Sequence, residues 1–310
     1  MSAKEANNKI LRGVIYAFIS SITFGLLPFF SIPVKAQGMS SETLMFYRFL
    51  ISVIIYGIYL FFRKANFKLS KKNIRDIILI GGMGYGLTGL TLVSSYDYIP
   101  SGIGTTIGFQ FPVMISIFMW LFYKEKLQRS IYISLILSLL GVFLLSYSPN
   151  HGMVSFYGIF LLTITNLMYS MYIIGVNKSS MKDIDSSVLT FYVITISMIL
   201  CLSLSIIKGT LIPIPSLMAA RNILFMSIFS TIIANLTLIL AIKAIGSTIT
   251  ALLSPLEPVT AIIIGVIVFN ETINIQIITG VIIIMLAVIL IILKGKNETQ
   301  EELIPKIEIK

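Results

Sequence analysis

The chain has 310 residues, a formal net charge of +10, one cysteine and one histidine. It is 56% hydrophobic and only 12% charged, with a mean hydropathy of +0.96, where soluble domains run at about 45–50% and about 25%. Too little polar residue remains to cover a water-facing surface, a disulfide framework and a His-based metal cluster are excluded, and the basic residues are scattered between apolar runs and not gathered into a nucleic-acid face.

A bilayer core takes about 20 apolar residues per helix, and ten stretches are long enough. The first, 11–32, is followed by Val34-Lys35-Ala36, which loosely resembles a signal cleavage site. Its apolar run exceeds the roughly 7–15 residues of a signal core, so a mature helix is expected, with Phe24 walling a cavity. The second, 43–62, holds Arg48 a few residues inside its outer edge. Arg48 is expected to snorkel to the headgroups or pair locally with Glu42, the alternative being contact with a substrate carboxylate.

The third span, 76–96, contains IGGMGYGLTG at 80–89. A dinucleotide loop needs a βαβ unit, which is missing, so the glycines predict close helix approach, and Tyr85 is expected to line a cavity. The fourth, 102–123, carries Phe109, Gln110 and Pro112; the fifth covers 131–148. The sixth, 155–176, brings Asn166, Tyr169 and Tyr172; the seventh is 187–207; the eighth, 222–242, holds Asn235. Interhelical hydrogen bonds, at about 0.6 kcal/mol each, would account for these neutral polar groups. Gln110, Asn235, Tyr85 and Tyr169 are nonetheless taken as cavity-lining.

The ninth span, 248–269, contains SPLEPVTAIIIGVIVFNE from 254. Glu257 lies about 10 residues in, hence about 15 Å deep. An acid there costs roughly 2.5–3.5 kcal/mol on insertion scales and is expected to face the bundle interior or a cavity. It is read as a proton carrier or an ammonium partner, or else as an acid fastening two helices. Pro112 and Pro258 interrupt corresponding spans and point to a midplane substrate site, or simply kink the helices. The tenth span, 274–293, precedes a Lys- and Glu-rich tail, 294–310, expected to be solvated and cytoplasmic. Asn297-Glu298-Thr299 in that tail is read as a chance sequon.

Of the 23 Lys and Arg, only Lys35, Lys208 and Arg221 fall outside if the N-terminus is inside; Arg48 lies in a helix and the other nineteen fall inside. Both termini are therefore expected to be cytoplasmic. A self-comparison shifted by 146 aligns YIPSGI (98–103) with AIGSTI (244–249), Thr91-Leu92 with Thr237-Leu238, Pro112-Val113 with Pro258-Val259, and Glu125 with Glu271. A shift of 145 aligns Phe46-Tyr47 with Phe191-Tyr192. Five spans per half is odd, so the halves, 11–148 and 155–293, enter from opposite sides: an inverted repeat, the signature of an alternating-access transporter. Glu257 and Pro255 face Phe111 and Phe109 in this alignment, so the acid is an asymmetric addition to a repeated frame.

FYRF (46–49), the P-V…E-K-L run (112–127), LEPVTAIIIGVIVFNETI (256–273), and Gly280 with the small Ala287 carry a further indication. Together they resemble bacterial EamA-type transporters of the drug/metabolite transporter superfamily over residues 11–293. Ser134 departs from the glycine of the last helix, whereas Gly141 keeps its small position. The resemblance implies ten helices in two repeats and movement of small organic metabolites such as amino acids, commonly outward, across the cytoplasmic membrane without ATP.

No GxxxxGK[ST] loop is present, so a proton or substrate gradient is the expected drive. The expected partners are a small-molecule substrate, the lipid bilayer and protons, with no nucleic acid, cofactor, metal or catalytic residue, in a monomer or homodimer. An importer of a nutrient or cationic amine is the alternative within the class. A channel would need charge rings or carbonyl filters, and a membrane enzyme a base beside a nucleophile or metal; neither pattern is visible. Glu125 and Glu271 are read as structural, holding a loop or a neighbouring helix end.

Overall fold

The computed structural model describes residues 3–124, 133, 136–137, 140–141, 144, 147–148, 152–153, 155–254, 256–271 and 274–286. Its helices are α1 (Ala3–Gly25), α2 (Leu27–Lys35), α3 (Ser41–Phe62), α4 (Lys71–Asp76), α5 (Met83–Ser95), α6 (Ser101–Gly108) and α7 (Phe111–Tyr123). After them come α8 (Phe156–Lys178), α9 (Ser186–Ile207), α10 (Leu217–Ser227), α11 (Ala234–Ile245), α12 (Ser247–Leu252), α13 (Leu256–Phe269) and α14 (Ile275–Leu286). Two single π-helical turns join helices: Ile77–Gly82 between α4 and α5, and Ile228–Ile233 between α10 and α11. Among the described residues the only strands are a two-residue antiparallel ladder, Tyr147–Ser148 on Gly152–Met153.

Seven of the described helical stretches are long and apolar enough to cross a membrane, and α13 and α14 are shorter apolar helices. Most of the expected fifth span, Glu125, Pro255, His151, Ala287 and the tail lie outside the described residues. Polar side chains set the helix starts: Ser40 accepts from the Thr43 amide, Asp185 from those of Ser187 and Val188, and Ser216 from that of Ala219. Each satisfies an amide that the helix cannot, which matters most where no water can.

The equivalent helices α3 and α9 pack together, and α6 of the fourth span packs on α13 of the equivalent ninth span, while α1 packs on α11 and α5 on α8. Glu42 at the start of α3 pairs with Lys208 just after α9. At the other end Tyr192, early in α9, donates to the Phe67 carbonyl after α3 (2.9 Å). The equivalents α3 and α9 therefore run antiparallel, as an inverted repeat demands. Hydrogen bonds repeat with the halves exchanged. Tyr47 donates to the Ile212 carbonyl at 3.2 Å, the counterpart of Tyr192 and Phe67 at an offset of 145. Ser52 donates to the Ser227 carbonyl at 3.1 Å, and Ser197 to that of Gly82 at 3.0 Å, again 145 apart.

The glycines of the third span make the close approach expected of them. A Cβ at Gly86 would lie 3.1 Å from the Ser197 backbone, and one at Gly84 would lie 3.2 Å from Tyr172. Glu271 after α13 accepts from the Ser101 amide (2.8 Å), the Ser101 hydroxyl (2.6 Å) and the Gly102 amide (3.2 Å). It caps α6 and so plays the structural part read from the sequence.

Candidate transport site

Both proline-bearing spans are broken helices. The chain leaves α6 at Gly108, and Gln110 precedes α7, in whose first turn Pro112 stands. The second break falls between α12 and α13, with Pro258 in the first turn of α13. Proline needs no amide partner there and its φ suits a helix start, so each proline stands in the first turn of a half-helix. Side chains of α8 satisfy carbonyls at the first break: Asn166 donates to Ile107 (3.0 Å) and Ser170 to Phe111 (3.1 Å).

The second break explains where the acid sits. Glu257 is in the first turn of α13, where unpaired amides and the helix dipole favour negative charge. It lines a cavity of about 30 Å³ with Phe24, Arg48, Tyr85, Tyr169 and the threonines Thr88, Thr105 and Thr165. Leu27, Phe49 and Leu92 add apolar wall. The rings pack edgewise or tilted around it, Phe24 at 6.3 Å from Tyr85 and 6.2 Å from Tyr169, and Phe49 at 5.9 Å from Tyr85.

Arg48 does not snorkel and does not pair with Glu42. It is 2% exposed, seven residues into α3 and hence about 10 Å along it. Glu42 is taken by Lys208. The Arg48 guanidinium instead crosses to the eighth span, where Nε donates to Thr231 Oγ1 (2.5 Å) and Nη2 to the Ser230 carbonyl. Among the described residues Nη1 has only the Met45 sulfur at 3.5 Å, and the Phe49 ring lies 5.3 Å from the guanidinium carbon. No carboxylate pairs with it among the described residues. The Glu257 carboxylate, likewise, has no hydrogen-bond or ion-pair partner there. Among the described residues a buried cation and an acid thus line one cavity with neither paired to an opposite charge, and the Tyr85 hydroxyl beside them is buried without a partner. Desolvating such groups without partners is costly, which a bound ligand would offset.

Of the residues read from the sequence, Glu257, Arg48, Tyr85, Tyr169 and Phe24 come together here. Gln110 and Asn235 are not among the lining residues. Asn235 is fully buried and accepts from the Tyr172 hydroxyl at 2.7 Å, and Gln110, at the first helix break, carries an Nε2 with no partner among the described residues. The threonines were not foreseen, since a lone Thr in an apolar helix bonds its own backbone as readily as a ligand. Ser230 and Thr231 were missed too, since neither stands at a matched position of the repeat. Among the described residues no group of three or more His, Cys, Asp or Glu could hold a metal ion.

The family described as the EamA-like transporter family matches residues 11–147 and 156–293, one match in each half. No curated protein matches the chain. A solved structure described only as "Crystal structure of protein" superposes with a TM-score of 0.70 over 92% of this chain and 98% of its own, at 14% identity. At that identity the likeness speaks for the fold alone. With nearly the whole chain covered by two copies of one family pattern, the protein belongs to the EamA-like transporter family, a multi-pass membrane transporter of the drug/metabolite transporter superfamily.

Proposed function

We propose that the protein is a secondary active exporter of small amino-acid-like metabolites across the cytoplasmic membrane, working by alternating access around the Arg48–Glu257 cavity. The observation that carries this reading is an arginine and an acid lining one aromatic-walled cavity, neither with an ion-pair partner among the described residues. Arg48 offers a fork suited to a carboxylate, and Glu257 offers an acceptor for an ammonium group. Without substrate, Glu257 takes a proton in place of that ammonium, which ties transport to a proton gradient. The outward direction follows from the family resemblance.

Volume favours a two-state cycle. About 30 Å³ holds two or so waters, far less than a metabolite, so the substrate enters only when the halves separate at one end. An inverted repeat supplies the two equivalent ways of doing so.

Reconstitution into proteoliposomes with a panel of labelled amino acids and amines, with and without a pH gradient, tests the class. Saturable flux of an amino acid, stimulated by the gradient, is expected. Flux of amines alone would remove the carboxylate part of the reading, and a chemically altered product would remove transport itself.

A further inference from the structure

The surroundings of Arg48 are repeated in the other half, except where Arg48 bonds. Its counterpart is Val193, 145 residues on, and a Cβ at Gly81 would meet Val193 at 3.0 Å. The serines one turn later match: Ser52 donates to the Arg48 carbonyl and Ser197 to the Val193 carbonyl, both at 2.8 Å. Both also reach across to the facing span, at Ser227 and Gly82.

Beyond that point the halves differ. By their matching hydrogen bonds Gly82 and Ser227 correspond at an offset of 145, whereas Thr91 and Thr237 correspond at 146, so the eighth span holds one extra residue over this stretch. The π turn Ile228–Ile233 lies within it, and the wider turn of a π bulge is the form in which a helix absorbs one residue. That turn supplies both oxygen atoms on the Arg48 guanidinium, Thr231 Oγ1 and the Ser230 carbonyl. The extra charge and the extra residue thus meet each other.

Thr231 is fully buried and is not among the residues lining the cavity. Its hydroxyl donates to the Met226 carbonyl at 3.2 Å. Arginine has no acceptor, so the Thr231 oxygen must accept from Nε, and its single proton goes to Met226. Both bonds are directional, which fixes the plane of the guanidinium. Nε and Nη2 are turned to the eighth span, leaving Nη1 beside Gly89, where a Cβ would lie 3.6 Å away. Gly89 is itself a lining residue, so the Nη1 edge stands on the cavity wall.

We propose that Thr231 is a positioning residue: it holds the Arg48 fork with its Nη1 edge toward the cavity and thereby sets the preference for substrates bearing a carboxylate. The proposal rests on the reading of Arg48 given above. The π turn is the element that brings Thr231 within reach.

The test measures binding of the twenty L-amino acids and their carboxamides to the purified full chain. Wild type is expected to bind at least one amino acid at least tenfold more tightly than its amide. Thr231→Val, which keeps the shape and loses the acceptor, is expected to bring the two within about threefold by weakening the acid and leaving the amide unchanged. Thr231→Ser is expected to restore the preference. If Thr231→Val does not fold, Thr231→Cys, with a weaker acceptor, is expected to give an intermediate preference. A wild type that binds no amino acid in preference to its amide would overturn both this proposal and the carboxylate role of Arg48. A wild-type preference that survives in Thr231→Val or Thr231→Cys, or is lost in Thr231→Ser, would overturn the positioning role alone.

Discussion

Glu257 owes its place to a local rule. A carboxylate in mid-membrane is costly, but the first turn of α13 offers unpaired amides and a positive dipole end. This accounts for an acid beside two prolines in the sequence: the proline starts the half-helix, and the acid occupies its N-terminal turn. Glu257→Gln keeps the shape and removes the titration. Transport by this variant is expected to lose its dependence on a pH gradient, read as equal flux with and without one, and a wild-type pH profile in it would contradict the role. Gly25 fixes how close α13 comes to α1, since a Cβ there would stand 2.8 Å from the Glu257 carbonyl oxygen. Gly25→Ala is expected to cost about 1–3 kcal/mol by overpacking, seen as a lower thermal midpoint. An unchanged midpoint would show that the contact yields freely.

At the scale of helices, hydrophobic length and paired prolines made the spans and both breaks legible. The repeat was legible through its Pro, Glu, Ser and Thr matches. Arg48 was misjudged for a physical reason. Counting along one helix places it near an edge, but its environment is made by another span, 182 residues and more away in sequence. Glu42, the nearest acid in sequence, is claimed by a lysine from the opposite half. Gln110 and Asn235 show the converse: polarity within a span does not say which side chain reaches the cavity and which fastens helices. Glu271 is a clear element-scale joint, with three bonds into the start of α6. Glu271→Gln is expected to cost about 1–2 kcal/mol, in the range of a lost helix cap, measured by thermal or denaturant unfolding. Stability equal to wild type would assign the joint to other contacts.

Across the whole molecule, ties close both ends of the bundle. At one end Lys35 pairs with Asp97 at 2.7 Å and Lys208 with Glu42. At the other, Asp76 accepts from the Ser180 hydroxyl at 2.7 Å, and Lys243 donates to the Ile184 carbonyl. With both ends held, the cavity keeps room for only a couple of waters, and opening either end must break its ties. The hydrogen bond that Lys208 donates to Glu42 raises the lysine pKa above its ordinary 10.5. A raised lysine contributes stability in full below pH 10.5, which is lost as pH climbs through the raised value. Lys208→Met is therefore expected to remove a tie that is constant over pH 6–9, so its effect on the thermal midpoint should be flat across that range.

In the proposed cycle, two charges added asymmetrically to a symmetric frame select the substrate. Competition against amino-acid flux in proteoliposomes tests it directly, using the transported amino acid, its decarboxylated amine and its deaminated acid as competitors. In wild type the intact zwitterion is expected to compete best. Arg48→Gln is expected to lose the advantage that the carboxylate gives, and Glu257→Gln the advantage that the ammonium gives. An unchanged order of competitors in both variants would contradict the account.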